Sequence, residues 1–79
     1  MPTVLRIGSY RFHFYSDEGH EPPHIHVRSA DGECKFWLAP AICLAQNRGI
    51  KPHDLRVIEK HVFANHSLLL QAYHERHSR

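Results

Sequence analysis

Hydrophobic and polar residues alternate along the first half of the chain, and this period of two is the period of a β-strand. The segment TVLRIGSYRFHFYS holds two such runs around Gly8-Ser9, and glycine in the first position is typical of a type II′ hairpin turn. This turn predicts four cross-strand pairs: Ile7 with Tyr10, Arg6 with Arg11, Leu5 with Phe12, and Val4 with His13. The pairing separates an apolar face from a face that carries Arg6, Arg11 and His13.

A second hairpin is predicted in HIHVRSADGECKFWL, where Asp31-Gly32 is a strong signal for a type I′ turn. On the apolar face this turn predicts three pairs: Val27 with Phe36, Ile25 with Leu38, and Ser29 with Cys34. On the polar face it places His26 opposite Trp37 and Arg28 opposite Lys35. Like charges directly opposite one another are unfavourable, so Arg28 and Lys35 are expected to spread into solvent or to bind an anion.

The second half of the chain has helical periodicity. After Pro40, the segment AICLAQNRG predicts a short helix that ends at Gly49. A long helix is predicted from Pro52 onward, although Lys51 is a poor capping residue for it. Its apolar stripe consists of Leu55, Ile58, Val62, Leu69 and Tyr73, broadened by Phe63 and Leu70. The polar run Asn65-His66-Ser67 interrupts this stripe and is expected to bend the helix.

These elements predict an α+β fold in which two antiparallel β-hairpins form a small sheet, with one face covered by the short and the long C-terminal helix. Neither repeats nor linkers divide the chain, so residues 1–79 are expected to form a single domain. A chain of 79 residues buries only about 60% of its unfolded surface. A homo-oligomer or a partner protein is therefore a plausible source of further burial.

Charge and composition exclude some classes of function. Ten Lys and Arg residues against eight Asp and Glu residues leave a formal net charge of +2, which excludes a strong overall field but permits a local basic patch. The two cysteines, Cys34 and Cys43, have no CxxC spacing and match no disulfide framework. No apolar run is long enough for a membrane span or a signal peptide, so we expect a cytoplasmic protein without membrane contact.

Histidine is over-represented, with nine residues, and three of them lie in the segment GHEPPHIHV. His20, His24 and His26 are candidate ligands for a divalent metal such as zinc, and Asp17, Glu18 or Glu21 could complete the set. The alternative is that Pro22-Pro23 end a loop and that the histidines lie on the sheet without a metal. The spacing lacks the cysteine pairs or the helical histidines that make other zinc motifs specific.

The whole polar face is a second candidate site. Its predicted members combine cations, histidines and one indole: Arg6, Arg11, His13, His24, His26, Arg28, Lys35 and Trp37. Cations that hold phosphates and a ring that stacks on a base are typical of a nucleic-acid surface. A solvated sheet face or a surface for a partner protein explains the same residues.

Histidines that face one another could also act as general base and general acid, as metal-free ribonucleases require. His13 lies on the same predicted face as His24 and His26. No nucleophile with an adjacent base is discernible, so the sequence assigns no catalytic residues.

The segments MPTVLRIGSYRFHFYSDEGHEPPHIHV, GECKFWL and LLLQAYHER together resemble the DUF4160 family of small bacterial proteins of unknown function. The resemblance implies a cytoplasmic protein, often encoded beside a DUF2442 protein in pairs that resemble toxin–antitoxin modules. It supplies no catalytic residues. The leading hypothesis is therefore a module of such a pair that binds a partner protein, with nucleic acid as a further expected partner. The alternative is a nuclease, either metal-dependent or dependent on histidine acid–base chemistry, at His20, His24 and His26.

Overall fold

Five antiparallel strands followed by two helices make up the computed structural model, which describes residues 3–15 and 20–77 of the chain. The strands lie in sequence order in one sheet: β1 (Thr3–Ile7), β2 (Tyr10–His13), β3 (His24–Arg28), β4 (Glu33–Trp37) and β5 (Cys43–Arg48). The helices are α1 (Pro52–Ala64) and α2 (His66–His77). The predicted α+β class is confirmed.

The first hairpin follows its predicted register for three of four pairs. Gly8 has a φ of 57°, and no described residue other than glycine has a positive φ, which is the combination a type II′ turn requires. The fourth prediction, Val4 with His13, is wrong: a bulge shifts the register, and His13 lies opposite Thr3.

The second hairpin is shifted by two residues from the predicted register. Ile25 pairs with Phe36 and Val27 with Cys34, and the connection is closed by the amide of Ser29, which donates to the carbonyl of Gly32 over 2.9 Å. Gly32 is not in the positive-φ region that a type I′ turn needs. A side chain there would collide with the carbonyl of Arg48, so this glycine permits close approach to β5 instead. A shift of two preserves the faces, which is why the apolar and polar sets are still separated.

The short helix predicted after Pro40 is wrong, because residues 43–48 form β5 against β4. Cys, Leu, Ala and Gln are tolerated by helices, so local propensity does not exclude a helix here, and the strand depends on pairing with β4. Gly49, with a φ of 93°, ends the strand. The side chain of Asn47 bonds both the amide and the carbonyl of Ile50, at 3.0 and 2.9 Å, and this anchors Ile50 in the core.

The predicted long helix is divided into α1 and α2 at Asn65, within the segment that was expected to bend it. Asn65 leaves the helical region with φ −116° and ψ 22°, and its side chain donates to the carbonyl of His61 over 2.9 Å. Lys51 makes no capping bond at the start of α1, as expected. Phe63, predicted to broaden the stripe, is instead 58% exposed.

The hydrophobic core lies between the apolar face of the sheet and the two helices. The strands contribute Phe12, Ile25, Val27, Cys34 and Phe36, and the helices contribute Ile58, Val62, Leu69 and Tyr73. Neither described helix combines the length and the apolar character needed to cross a membrane. The arginines and histidines of the candidate site lie on the opposite face of the sheet.

Candidate functional site

One row of side chains crosses all five strands on the polar face. Its members are direct cross-strand neighbours, in the order Arg6, Arg11, Arg28, Glu33 and Arg48. Residues directly opposed in a ladder project from the same face, and strands about 4.8 Å apart make this arginine row about 19 Å long. All four arginines are exposed. The row therefore presents four guanidinium groups and one carboxylate.

Glu33 is the acidic member of the arginine row. Its Oε1 accepts a hydrogen bond from Arg28 over 3.2 Å, and its Oε2 accepts one from the hydroxyl of Tyr15 over 2.6 Å. Arg28 thus faces Glu33, and the like-charge pair of Arg28 with Lys35 predicted from the sequence is wrong. The carboxylate is satisfied within the protein, and among residues 3–15 and 20–77 no ion pair involves Arg6, Arg11 or Arg48.

A second row lies beside the first, two residues further along the strands. This histidine row consists of His13, His26, Lys35 and Gln46. The rings of His13 and His26 stack with centroids 5.7 Å apart and an interplanar angle of 22°. His13 through Nε2 and His26 through Nδ1 each lie 3.6 Å from Oε2 of Glu33. Two imidazoles therefore face one carboxylate.

Tyr15 covers this pair of imidazoles from the solvent side. Its ring centroid lies 4.4 Å from that of His26 and 5.1 Å from that of His13, in both cases edge to face. His13 and His26 are only 6% and 7% exposed. Both ring nitrogens of His13 are buried without a hydrogen-bond partner among the described residues. The histidines are structural neighbours of Tyr15 and Glu33 rather than a solvated cationic surface.

The charge states follow from this packing. Burial lowers the pKa of His13 below its ordinary value of 6.5, although the Glu33 carboxylate acts in the opposite direction. Burial alone would raise the pKa of Glu33, but the hydrogen bonds from Tyr15 and Arg28 outweigh it and hold the pKa below 4.5. The bond to Glu33, followed by burial, raises the pKa of Tyr15 above 10. At neutral pH the cluster therefore contains an anionic Glu33, a neutral His13 and a protonated Tyr15.

Lys35 and His24 share a different carboxylate. Lys35 Nζ lies 2.6 Å from Oε1 of Glu21, and His24 Nδ1 lies 3.7 Å from the same atom. The Lys35 ammonium also lies 4.5 Å from the centroid of the Trp37 ring, a cation–π contact. The Lys35 side chain is only 13% exposed, so it contributes less to an anion-binding surface than the arginines do.

Two clefts open on the polar face, and Tyr15 lines one of them. One, of about 260 Å³, is lined by Tyr15, His26, Glu33, Cys34, Lys35, Gln46 and Arg48, and the other, of about 250 Å³, by Thr3, Arg11, His13 and Arg28. Each cleft has an arginine on its wall and a buried histidine beneath it. Anionic groups of a ligand can therefore meet an arginine in either cleft.

The three histidines of the metal hypothesis are not equivalent. His24 is fully buried, and its Nδ1 lies 2.9 Å from the carbonyl of Pro22, whereas His20 is exposed. The rings of His24 and His26 are perpendicular, with centroids 5.2 Å apart. Within residues 3–15 and 20–77, no three His, Cys, Asp or Glu side chains are grouped as a metal site. Asp17 and Glu18, the other candidate ligands, lie outside the described residues. Zinc binding stays a prediction. Elemental analysis of untagged protein would measure bound zinc.

Three contributors to the site were missed by the sequence analysis. Arg48 was assigned to a helix, and only the pairing of β5 with β4 brings it into the arginine row. Glu33 was not among the predicted site residues, because the predicted register placed Lys35 rather than Glu33 opposite Arg28. Tyr15 follows His13 by two residues, so strand periodicity was the available signal for its position over the same face.

The family follows from a direct comparison. The model of DUF4160, a domain of unknown function, matches residues 9–74. The chain belongs to the DUF4160 family. The match covers Arg11, Arg28, Glu33 and Arg48 of the arginine row, together with Tyr15 and both stacked histidines. No curated protein and no solved structure matches the chain.

Proposed function

We propose that this DUF4160 protein binds single-stranded nucleic acid on the polar face of its sheet. The observation that carries the proposal is the arginine row, in which four exposed arginines cross the sheet and the one carboxylate is held by Arg28 and Tyr15. Guanidinium groups bind phosphates with two parallel hydrogen bonds. A flat sheet face suits a single strand, because reading a duplex groove requires an element that projects into it.

The test measures binding of a fluorescein-labelled 12-nucleotide RNA by anisotropy between 50 and 200 mM KCl. Phosphate contacts by Arg6, Arg11 and Arg48 predict a slope of about −2 for log affinity against log salt, at about −0.7 for each contact. The triple variant Arg6→Gln, Arg11→Gln, Arg48→Gln is expected to lose about 500-fold in affinity at 50 mM salt.

The matched control removes the same charge from the helices. Arg56, Lys60 and Arg76 are exposed on α1 and α2, and their triple change to Gln is expected to alter affinity by less than about threefold. Equal losses in both triple variants would show an effect of net charge alone. A wild-type protein without salt-sensitive binding would refute the proposal outright.

Cleavage of RNA is a second candidate function, and it is favoured by the two stacked imidazoles at Glu33. In this scheme one imidazole takes the proton of a ribose 2′-hydroxyl, whose oxygen attacks phosphorus, and an imidazolium protonates the leaving 5′-oxygen. Wild-type protein should then cleave RNA but not DNA of the same sequence, and His26→Gln should abolish cleavage. Cleavage that EDTA abolishes would instead support the metal-dependent alternative at His20, His24 and His26. Intact RNA after prolonged incubation would refute both.

We propose further that the protein acts in a toxin–antitoxin-like pair, and that its partner, a DUF2442-type protein, docks at β5. Within the described residues β5 pairs only with β4, all six of its residues are exposed, and Leu44 is 44% exposed. An unpaired edge of this kind accepts a strand from another chain. Co-expression with the DUF2442-type protein should yield a complex that Leu44→Lys weakens and Leu68→Lys, at a matched exposure of 48% on α2, does not. Self-association of the protein at β5 would replace this partner by a second copy.

A further inference from the structure

An apolar slot opens at the end of the polar face that is farthest from the arginine row. It has a volume of about 280 Å³ and is lined by Pro22, Trp37, Ala39, Pro40, Ala41 and Cys43. Its walls are an indole, two proline rings, two methyl groups and a thiol, with no charged side chain. Such walls suit a flat, weakly polar group.

Trp37 connects the slot to the two rows already described. It lies directly opposite His24 and Cys43, two residues beyond Lys35 and four residues beyond Glu33 on the same face of β4. At about 3.3 Å for each residue, the slot lies about 13 Å from the arginine row. The Lys35 ammonium lies between them, 4.5 Å from the indole centroid, and is paired with the Glu21 carboxylate over 2.6 Å.

We propose that this slot holds one unpaired nucleobase of a single strand whose phosphates lie along the arginine row. The inference rests on the proposed function, and it adds a base-binding subsite to a backbone-binding surface. An aromatic wall stacks on any base, and apolar walls offer no hydrogen bonds to the base edge. Binding is therefore expected to require a base without strongly selecting which one.

A side chain from a partner protein also fits an apolar slot of this size, but the surroundings favour a nucleobase. The arginine row lies about 13 Å away on the same face, and its guanidinium groups complement the phosphates that accompany every base. The described part of the sheet thus combines cations and a stacking ring on one face.

The experiment uses Trp37 as its own reporter, because it is the single tryptophan of the chain. Titration with an unlabelled 12-nucleotide RNA should quench tryptophan emission, and an oligomer of abasic ribose phosphates of equal length should not. In competition with the fluorescein-labelled RNA, which also serves for the Trp37→Ala variant, the abasic oligomer is expected to bind about tenfold more weakly than RNA. Trp37→Ala should lower RNA affinity by about the same factor and leave the affinity for the abasic oligomer unchanged.

A chemical variant keeps the test independent of folding defects. Cys43 is exposed on the wall of the slot and Cys34 is buried, so N-ethylmaleimide can place one adduct in the slot of the folded protein. The adduct should remove the preference for RNA over the abasic oligomer while the helical circular dichroism is preserved. Modified protein that keeps the full preference would overturn the proposal.

The remaining outcomes separate the inference from the function on which it rests. RNA that binds without quenching, and no more tightly than the abasic oligomer, would overturn the base subsite and leave the arginine row intact. Absence of binding for both oligomers would overturn the subsite together with the proposed function. Emission that responds to the co-expressed partner protein but not to RNA would assign the slot to that protein.

Discussion

The arginine row and the histidine row lie side by side on one face of the sheet, two residues apart along each strand, yet they differ in every physical respect. The arginines are exposed and charged, whereas His13 and His26 are buried and His13 is neutral at pH 7. The difference originates in two side chains: the ring of Tyr15 covers the histidines, and Glu33 of the arginine row accepts a hydrogen bond from Arg28 and lies 3.6 Å from His13 and His26. Two basic residues on one face can thus have opposite environments, one exposed to solvent and the other packed inside the protein.

Removal of the Tyr15 ring should have the largest effect on the difference between the two rows. Tyr15→Ala exposes both imidazoles and deletes the bond to Glu33, so the free energy of unfolding is expected to fall by about 2–3 kcal/mol. Tyr15→Phe, which keeps the ring, should lose only about 1–2 kcal/mol. Urea denaturation measures both values. Arg11→Ala in the exposed row serves as control and should stay within about 0.5 kcal/mol of wild type. Equal effects for Tyr15→Ala and Arg11→Ala would contradict the distinction between the rows.

Glu33→Gln should lower the stability of the protein and raise its affinity for RNA. The buried cluster loses its charge-assisted bonds from Tyr15 and Arg28, which is expected to lower the free energy of unfolding by about 1–2 kcal/mol. The arginine row gains an uncompensated Arg28, and the affinity for RNA at 50 mM salt is expected to rise about eightfold. Urea denaturation and anisotropy measure the two effects on one protein.

Glu59→Gln on α1, where the residue is exposed, removes the same charge far from both rows. It should change neither quantity appreciably. A Glu33→Gln variant that binds RNA more weakly than wild type would show that Glu33 supports the binding surface instead of limiting its charge.

Acid should destabilise the histidine row in two stages. The pKa of His13 is lowered from 6.5 by burial, so the unfolded chain binds the additional proton first and stability falls as the pH drops below 6.5. The loss from one proton is at most about 1.4 kcal/mol for each pH unit. The pKa of Glu33 is also lowered, so its contribution is present above about pH 4.5 and is lost as the pH falls through its folded-state pKa.

Urea denaturation at pH 7.5, 6, 5 and 4 separates the stages. His13→Gln should flatten the dependence between pH 6.5 and 5 and leave the more acidic stage in place. His53→Gln, at an exposed position on α1, should leave both stages unchanged. An unaltered profile in His13→Gln would mean that another group causes the first stage.

The smallest expected effect concerns the reactivity of the two cysteines, which lie on opposite faces of the sheet. Burial raises the pKa of Cys34 on the apolar face to about 12, whereas Cys43 on the polar face is exposed. One thiol should therefore react rapidly with a disulfide reagent at pH 8, and the second should react only after denaturation. Cys43→Ser is expected to abolish the rapid reaction. Two rapid thiols in the wild-type protein would show that the apolar face opens readily.

The sequence predicted the faces of the sheet better than it predicted the register. Alternation in β1 to β4 assigned Phe12, Ile25 and Val27 to the core and the arginines to the other face, because a period of two depends only on local backbone geometry. The register of the second hairpin was missed because Gly32 was interpreted as a turn residue. Its actual constraint is the carbonyl of Arg48 in β5, sixteen positions further along the chain.

The candidate site shows the same division. Arg6, Arg11 and Arg28 were predicted as members of one surface, and the structure aligns them. Their row is completed by Arg48, which belonged to a predicted helix, since the choice between strand and helix for residues 43–48 depends on the open edge of β4. Trp37 was predicted on the polar face, but the slot it lines includes Pro22, Ala39 and Pro40 from two connecting segments.

Local pattern alone therefore accounts for the α+β class, the first hairpin, the break near Asn65 and the chemical character of each sheet face. These properties depend on side-chain alternation and backbone preferences within a few residues. The tertiary structure alone decided that Glu33 neutralises Arg28, that Tyr15 buries His13 and His26, and that β5 adds a fifth strand. Each of these requires residues distant in sequence to be brought within hydrogen-bonding or packing distance, and such contacts form only when the whole sheet is assembled.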